Sequence, residues 1–222
     1  MEKITYKIIR SSRRTVALVI REDGTLVVRA PYHAAIPSIE RFIVEKSGWI
    51  RKKSAEIRSR PRAENKQYAE GEKFLYLGKE YSLKFSAFVK KIAIKDELLL
   101  VPKKFSGDCQ AQIDRWYRRE ARRIITERAG KIGAAFHFSF SAIRIGTAKR
   151  RWGSCTSNGT LSFGYRLVMA PMFIVDCVVA HELCHTKELN HSKYFYQLLL
   201  SIIPNYKTGH AWLKKNGQTL SL

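Results

Sequence analysis

The eleven residues HELCHTKELNH, 181 to 191, hold three of the chain's six histidines and constrain its fold more than any other stretch. Two histidines at i and i+4 on an α-helix are about 40° apart in projection and one turn apart in rise, so both imidazoles reach one ion. This pairs His181 with His185 and predicts a helix through them. Glu182 lies about 100° further around the same helix, which places it to hold a water beside the ion rather than to ligate it. It is the expected general base. Ile174, Val175, Val178 and Val179 make the preceding turns apolar, so the helix should be buried there and hold its ligands rigidly.

A catalytic zinc site needs three protein ligands and an open position, and His191 is the candidate for the third. A continuous helix would carry it about 9 Å further along the axis and onto another face. The chain must therefore bend between Thr186 and Asn190. Asn190, which tolerates left-handed backbone angles better than most residues, is the expected pivot. The i, i+4, i+10 spacing equals that of the metzincins, but Glu188 stands at their glycine position, which argues against that group. Glu188 itself reads as a solvated carboxylate. Cys177 and Cys184 read as small core residues, His33 and His137 as structural, and His210 is left unassigned.

Elsewhere the pattern predicts an α+β protein. TVALVI and TLVVRA flank REDG, an antiparallel hairpin signal, and Pro37 opens a helix expected across about 38 to 58 with Gly48 as its weak point. The polar stretch 59–73 reads as a linker, and 73–101 as further short strands. After Pro102, Ile113, Tyr117, Ala121, Ile125 and Ala129 form an i, i+4 stripe with Arg115, Arg118, Arg119, Arg122 and Arg123 on the opposite side, an amphipathic helix. Residues 142–171 offer two or three strands with SNG as a hairpin turn, followed by the metal-motif helix from near Pro171 and a short helix that stops before Pro204. The expected organisation is a β-rich, basic N-terminal region over 1–104, antiparallel with one helix, and a C-terminal domain over 105–222 with the hairpin and the motif helix.

Charge is the other strong constraint. The net charge is +22, and residues 151 onward carry seven Lys and Arg against three Asp and Glu, which leaves +18 on residues 1 to 150. A surface this basic attracts polyanions. The five arginines at 115, 118, 119, 122 and 123 read either as a non-specific nucleic-acid contact face or as a solvated basic surface. No apolar run approaches the roughly 20 residues of a membrane span, and the N-terminus is charged where a signal peptide would turn apolar, so a cytoplasmic location is expected. The four cysteines, Cys109, Cys155, Cys177 and Cys184, form no C-x-x-C pair and read as reduced thiols.

The segments RSSRRTVALVIREDGTLVVRAP, WIRKK, YLGKEYSL, RWYRREA, RWGSCTSNGTLSFGYRLVMAP, VVAHELCHTKELNHSKYFYQLL and PNY…WL resemble the YgjP-like metallopeptidase family, related to the SprT-like and WLM zinc proteases. The resemblance spans almost the whole chain, and RWGSC with HELCH…NHS are its most specific blocks. It implies a zincin-like C-terminal half, Zn2+ held by His181, His185 and His191, and Glu182 as the catalytic glutamate. The chain departs from the family at Thr186-Lys187, often more apolar, and at His210, where a basic residue is usual.

The hairpin carrying RWGSC is the strand nearest the motif helix in sequence, and an edge strand beside such a site holds extended substrate by main-chain pairing. Arg151 and Trp152 either line that cleft, or are a surface charge and a core residue. Ser154 and Cys155 lack an identifiable base and are not read as nucleophiles. Three functions compete: a zinc peptidase in which Glu182 activates water, a metal-dependent phosphohydrolase acting on nucleoside triphosphates, and a nucleic-acid-binding module with structural zinc. No Walker-type glycine loop is present, and the cations nearest the motif are Arg150, Arg151 and Arg166 on the hairpin. The expectation is peptide hydrolysis, with recruitment to nucleic acid as an added role.

Overall fold

Asp23 and Gly24 make the turn between β2 (Ala17–Ile20) and β3 (Leu26–Pro31), with the Asp23 carboxylate accepting from Thr25 N at 2.8 Å. In this computed structural model, which describes residues 4–21, 23–59, 65–148 and 151–222, β1 (Tyr6–Ser11) lies on the other side of β3 and runs parallel to it. The sheet order is β1-β3-β2, so the antiparallel N-terminal sheet expected from the sequence is mixed. Residues 12–16 contain no glycine, asparagine or aspartate for a tight turn, and the chain crosses to the far edge instead. Arg10 braces that edge by donating from Nη1 to the carbonyls of Pro31, Tyr32 and Ala34. The single helix expected over 38–58 is two, α1 (Ile36–Glu45) and α2 (Ser47–Arg58), because Lys46 at φ −93 and ψ 10 leaves the helical range just before Gly48. Ile39, Ile43 and Ile50 cover Leu26, Val28 and Ala30 to form one small core.

These elements make up one compact unit, Met1–Pro61, and the rest of the chain a second, Arg62–Leu222. Of the linker expected over 59–73, residues 60–64 lie outside the described residues. Strands β4 (Lys73–Tyr76), β5 (Lys79–Ser86), β6 (Ala93–Lys95) and β7 (Leu98–Pro102) form a sheet in the order β4-β5-β7-β6, with β5 parallel to β7. The sequence grouped them with the N-terminal region. Their inward residues Phe74, Leu83, Leu99 and Val101 instead share a core with α3 (Cys109–Phe136), whose stripe Ile113, Tyr117, Ala121, Ile125 and Ala129 is fully buried. His137 ends α3 in the left-handed region at φ 54.

A third sheet, in the order β8-β10-β9, comprises β8 (Ala142–Gly146), β9 (Gly153–Cys155) and β10 (Thr160–Gly164). The expected hairpin is the antiparallel pair β9 and β10, and it leaves β9 on the edge. The last helices are α4 (Met172–Cys184), α5 (Lys193–Ile202) and α6 (Tyr206–Asn216), the last of which the sequence reading did not anticipate. The β4–β5 turn anchors the start of α4. Leu77 and Gly78 both take positive φ, their N–H groups donate to the carbonyls of Val168 and Met169 at 2.8 and 3.1 Å, and a β-carbon on Gly78 would fall 2.9 Å from Pro171 Cα. No described helix is long and apolar enough to cross a membrane.

Candidate metal centre

Helix α4 is apolar on nearly every side, with Ile174, Val175, Val179, Ala180, Leu183 and Cys184 buried, so it runs through the core rather than over it. Arg128 on α3 fastens it by donating to both carboxylate oxygens of Asp176. His181 sits in its last turn and His185 closes it as C-cap, still at helical angles of φ −67 and ψ −12. The N–H groups of Thr186, Lys187 and Glu188 then fold back onto the carbonyls of Leu183 and Cys184, which winds the helix down and reverses the chain. Asn190 is not the left-handed pivot expected from the sequence: the described non-glycine residues with positive φ are Tyr68, Leu77, Asp96 and His137. Its carbonyl accepts from Ser192 N at 2.8 Å, and Ser192 then caps α5 by accepting from Phe195 N at 3.2 Å.

This reversal brings His191 back to the other two histidines. Nε2 of His191 lies 3.0 Å from Nε2 of His181 and 3.2 Å from Nε2 of His185. Three zinc–nitrogen bonds of ordinary length in a tetrahedron require separations of about 3.3 Å, so the donor set fits that ion. Phe195, fully buried, stands behind all three rings with centroid distances of 5.0, 4.6 and 4.8 Å to His181, His185 and His191. The outward nitrogens are held as well. Nδ1 of His185 lies 2.9 Å from the carbonyl of Glu188, and Nδ1 of His181 lies 2.9 Å from Tyr206 Oη. Glu188 therefore meets the site through its backbone, not its carboxylate. Burial, reinforced by the neighbouring His185, His191 and His210, pushes the His181 imidazolium down to about 4, which keeps the ring in the neutral form that ligates.

Glu182 is only 6 % exposed and is the one buried charged side chain among the described residues. Burial pushes its carboxyl up to about 7, against the pull of the Arg151 guanidinium. It faces Gly153 on β9. Beside it opens a cavity of about 350 Å3 whose walls include Arg151, Trp152, His181, His191, Tyr206 and His210. Arg151 is exposed, and Trp152 is half-buried with its indole against Gly217, so that tryptophan both packs and lines the cavity.

The structure thus gathers His181, Glu182, His185, His191, Arg151 and Trp152 in one place. It puts Arg115, Arg118, Arg119, Arg122 and Arg123 on the exposed face of α3, away from the cavity lining. Arg118 pairs with Asp114 and lies over the Tyr165 ring, and Arg123 pairs with Glu120 and Glu127. Arg166 donates to the carbonyl of Ala148, and Arg150 lies outside the described residues. Cys177 and Cys184 are buried thiols, as the sequence suggested. Tyr206, Phe195 and His210 were not assigned to the site from sequence. For α6 a signal existed in the punctuation by Pro204 and Asn205 ahead of Tyr206, Gly209 and Leu213 at helical spacing.

The sequence matches the family described as YgjP-like, metallopeptidase domain, over residues 14–216. Among solved structures, the metallopeptidase zymogen of Pyrococcus abyssi abylysin is similar with a TM-score of 0.38 and 17% identity, over 41% of this chain and 97% of that one. No curated protein matches. Because the family match takes in nearly the whole chain, with every histidine of the cluster inside it, this chain belongs to the YgjP-like metallopeptidase-domain family and is, in general type, a metal-dependent peptidase.

Proposed function

We propose that the chain is a zinc peptidase of zincin-like arrangement in which His181, His185 and His191 hold the ion and Glu182 is the general base. The observation that carries this reading is the convergence of three Nε2 atoms at 3.0 and 3.2 Å next to a buried carboxylate. Zinc, when bound, supplies a Lewis acid that polarises the scissile carbonyl and acidifies the water beside it. Glu182 makes no hydrogen bond to a described residue, so its oxygens are available to take a proton from the attacking water and to deliver it to the leaving amine. Among the described residues strand β9 pairs on one side only, and its other main-chain edge offers an extended peptide a partner along the cavity. Arg151 and Trp152 supply a cation and an apolar wall for that peptide.

The cavity supports a peptide more than a nucleoside triphosphate. Phosphoryl transfer calls for several cations around the reacting phosphates, and among the described residues Arg151 is the single lysine or arginine in the lining. The test measures both activities on one zinc-loaded preparation and on its Glu182→Gln variant. Peptide cleavage should fall about 10²- to 10⁴-fold in the variant with zinc retained. Glu182-dependent release of phosphate or pyrophosphate, without Glu182-dependent peptide cleavage, would reverse the assignment.

The basic face of α3 supports a second role, non-specific nucleic-acid binding, in a protein we place in the cytoplasm. Arg115, Arg119 and Arg122 follow one another at helical spacing and have no acidic partner among the described residues, unlike Arg118 and Arg123.

A further inference from the structure

On α4, Cys177 and His181 are one turn apart; on α6, Gly209 and Tyr206 are one turn apart, and the two pairs face each other. A β-carbon on Gly209 would stand 2.5 Å from Cys177 Sγ, so the absence of a side chain there lets α6 lie directly on α4. The close approach sets Tyr206, the first residue of α6, over His181. Their rings are 5.7 Å apart and inclined by 19°, and Tyr206 Oη is 2.9 Å from Nδ1. The opposite nitrogen of the same ring, Nε2, is the one turned toward His191.

We infer that Tyr206 is a positioning residue for the metal centre, fixing the tautomer and ring orientation in which His181 ligates through Nε2. The inference rests on the zinc reading above. A neutral imidazole that ligates through Nε2 carries its remaining proton on Nδ1, and that N–H then donates to the phenol oxygen. If the phenol instead donated to Nδ1, the proton would sit on Nε2 and block ligation, so ligation fixes the direction of this hydrogen bond. Among the described residues, Tyr206 is the one side chain outside the cluster that bonds to a ring nitrogen of these histidines. His185 is oriented by the Glu188 carbonyl, and Nδ1 of His191 has no hydrogen-bond partner among the described residues.

Tyr206→Phe isolates the hydroxyl, because the ring that stacks on His181 and packs beside α4 stays. Zinc affinity is measured on the apo protein by competition with a chromophoric chelator, and ligand geometry by the visible absorption of the cobalt(II) form. The expected result is zinc binding weakened about 10- to 100-fold, with a changed cobalt band and an unchanged melting temperature of the apo chain. Zinc affinity within about twofold of the wild type, with the same cobalt band, would overturn the inference while leaving the metal site standing. A wild-type chain that takes up no zinc, or a His191→Ala chain that holds it as tightly as the wild type, would overturn the zinc reading itself and this role with it.

Discussion

Gly153 on β9 lies against Glu182 on α4 so closely that a β-carbon would fall 2.6 Å from both Cγ and Oε1 of the glutamate. The edge strand and the proposed base are therefore in mutual contact, and one cannot be reshaped without the other. Gly153→Ala should fold, since the atoms in its way belong to a side chain, but Glu182 must swing aside. Peptide cleavage is expected to drop toward the roughly 10²- to 10⁴-fold loss of a missing general base, with zinc content unchanged. Metal analysis and turnover on one preparation check this; near-normal turnover would mean the base tolerates a shifted carboxylate.

Removing a ligand should separate from removing a histidine elsewhere. His191→Ala is expected to weaken zinc binding by more than about 100-fold, the upper end of the cost of losing an outer partner. His137→Ala, at the left-handed end of α3, should leave it unchanged. Equal losses in the two variants would show that His191 is not the third ligand.

Stripping the ion should lower the melting temperature without unfolding the chain. The core around α3 and α4 includes Tyr117, Ile125, Val175, Val179 and Leu183, all buried without help from a metal. A ligand at a thousandfold excess over its Kd adds about 4 kcal/mol, which corresponds to roughly 10 °C for a unit of this size. Calorimetry with and without chelator reads the difference, and loss of the circular-dichroism signal at room temperature on chelation would show that the fold depends on the metal.

The arginine face of α3 makes a prediction in salt. If Arg115, Arg119 and Arg122 contact phosphates, replacing all three should flatten the dependence of log K on log salt by up to about 3. Replacing Arg118 and Arg123, already paired with acidic neighbours, should change it less. An unchanged slope in the triple variant removes α3 as the contact surface.

How far these features were legible in the sequence depends on whether their cause is local. The pairing of His181 with His185 and the buried stripe of α3 follow from helical periodicity, and both stand in the structure. The hairpin of β9 and β10 follows from its turn residues. The parallel pairing of β1 with β3 and of β5 with β7 joins segments separated by whole strands, and no residue near them announces it. Asn190 was a poor guide because the reversal is closed by main-chain bonds to Leu183 and Cys184 rather than by an unusual backbone angle. The five arginines read as one face, yet Asp114 and Glu120 at helical spacing pair with Arg118 and Arg123 and divide it. Tyr206 lies 25 residues from His181, and only the packing of α6 on α4 brings the phenol to the imidazole.

The ring of Phe195, sealed in the core, touches all three imidazoles at once. His181 and His185 are half-buried over that ring, whereas His191 is exposed and meets solvent on its outer side. The histidine cluster therefore opens from the His191 side, with the core beneath His181 and His185 left packed, so an ion could come and go without the chain unfolding.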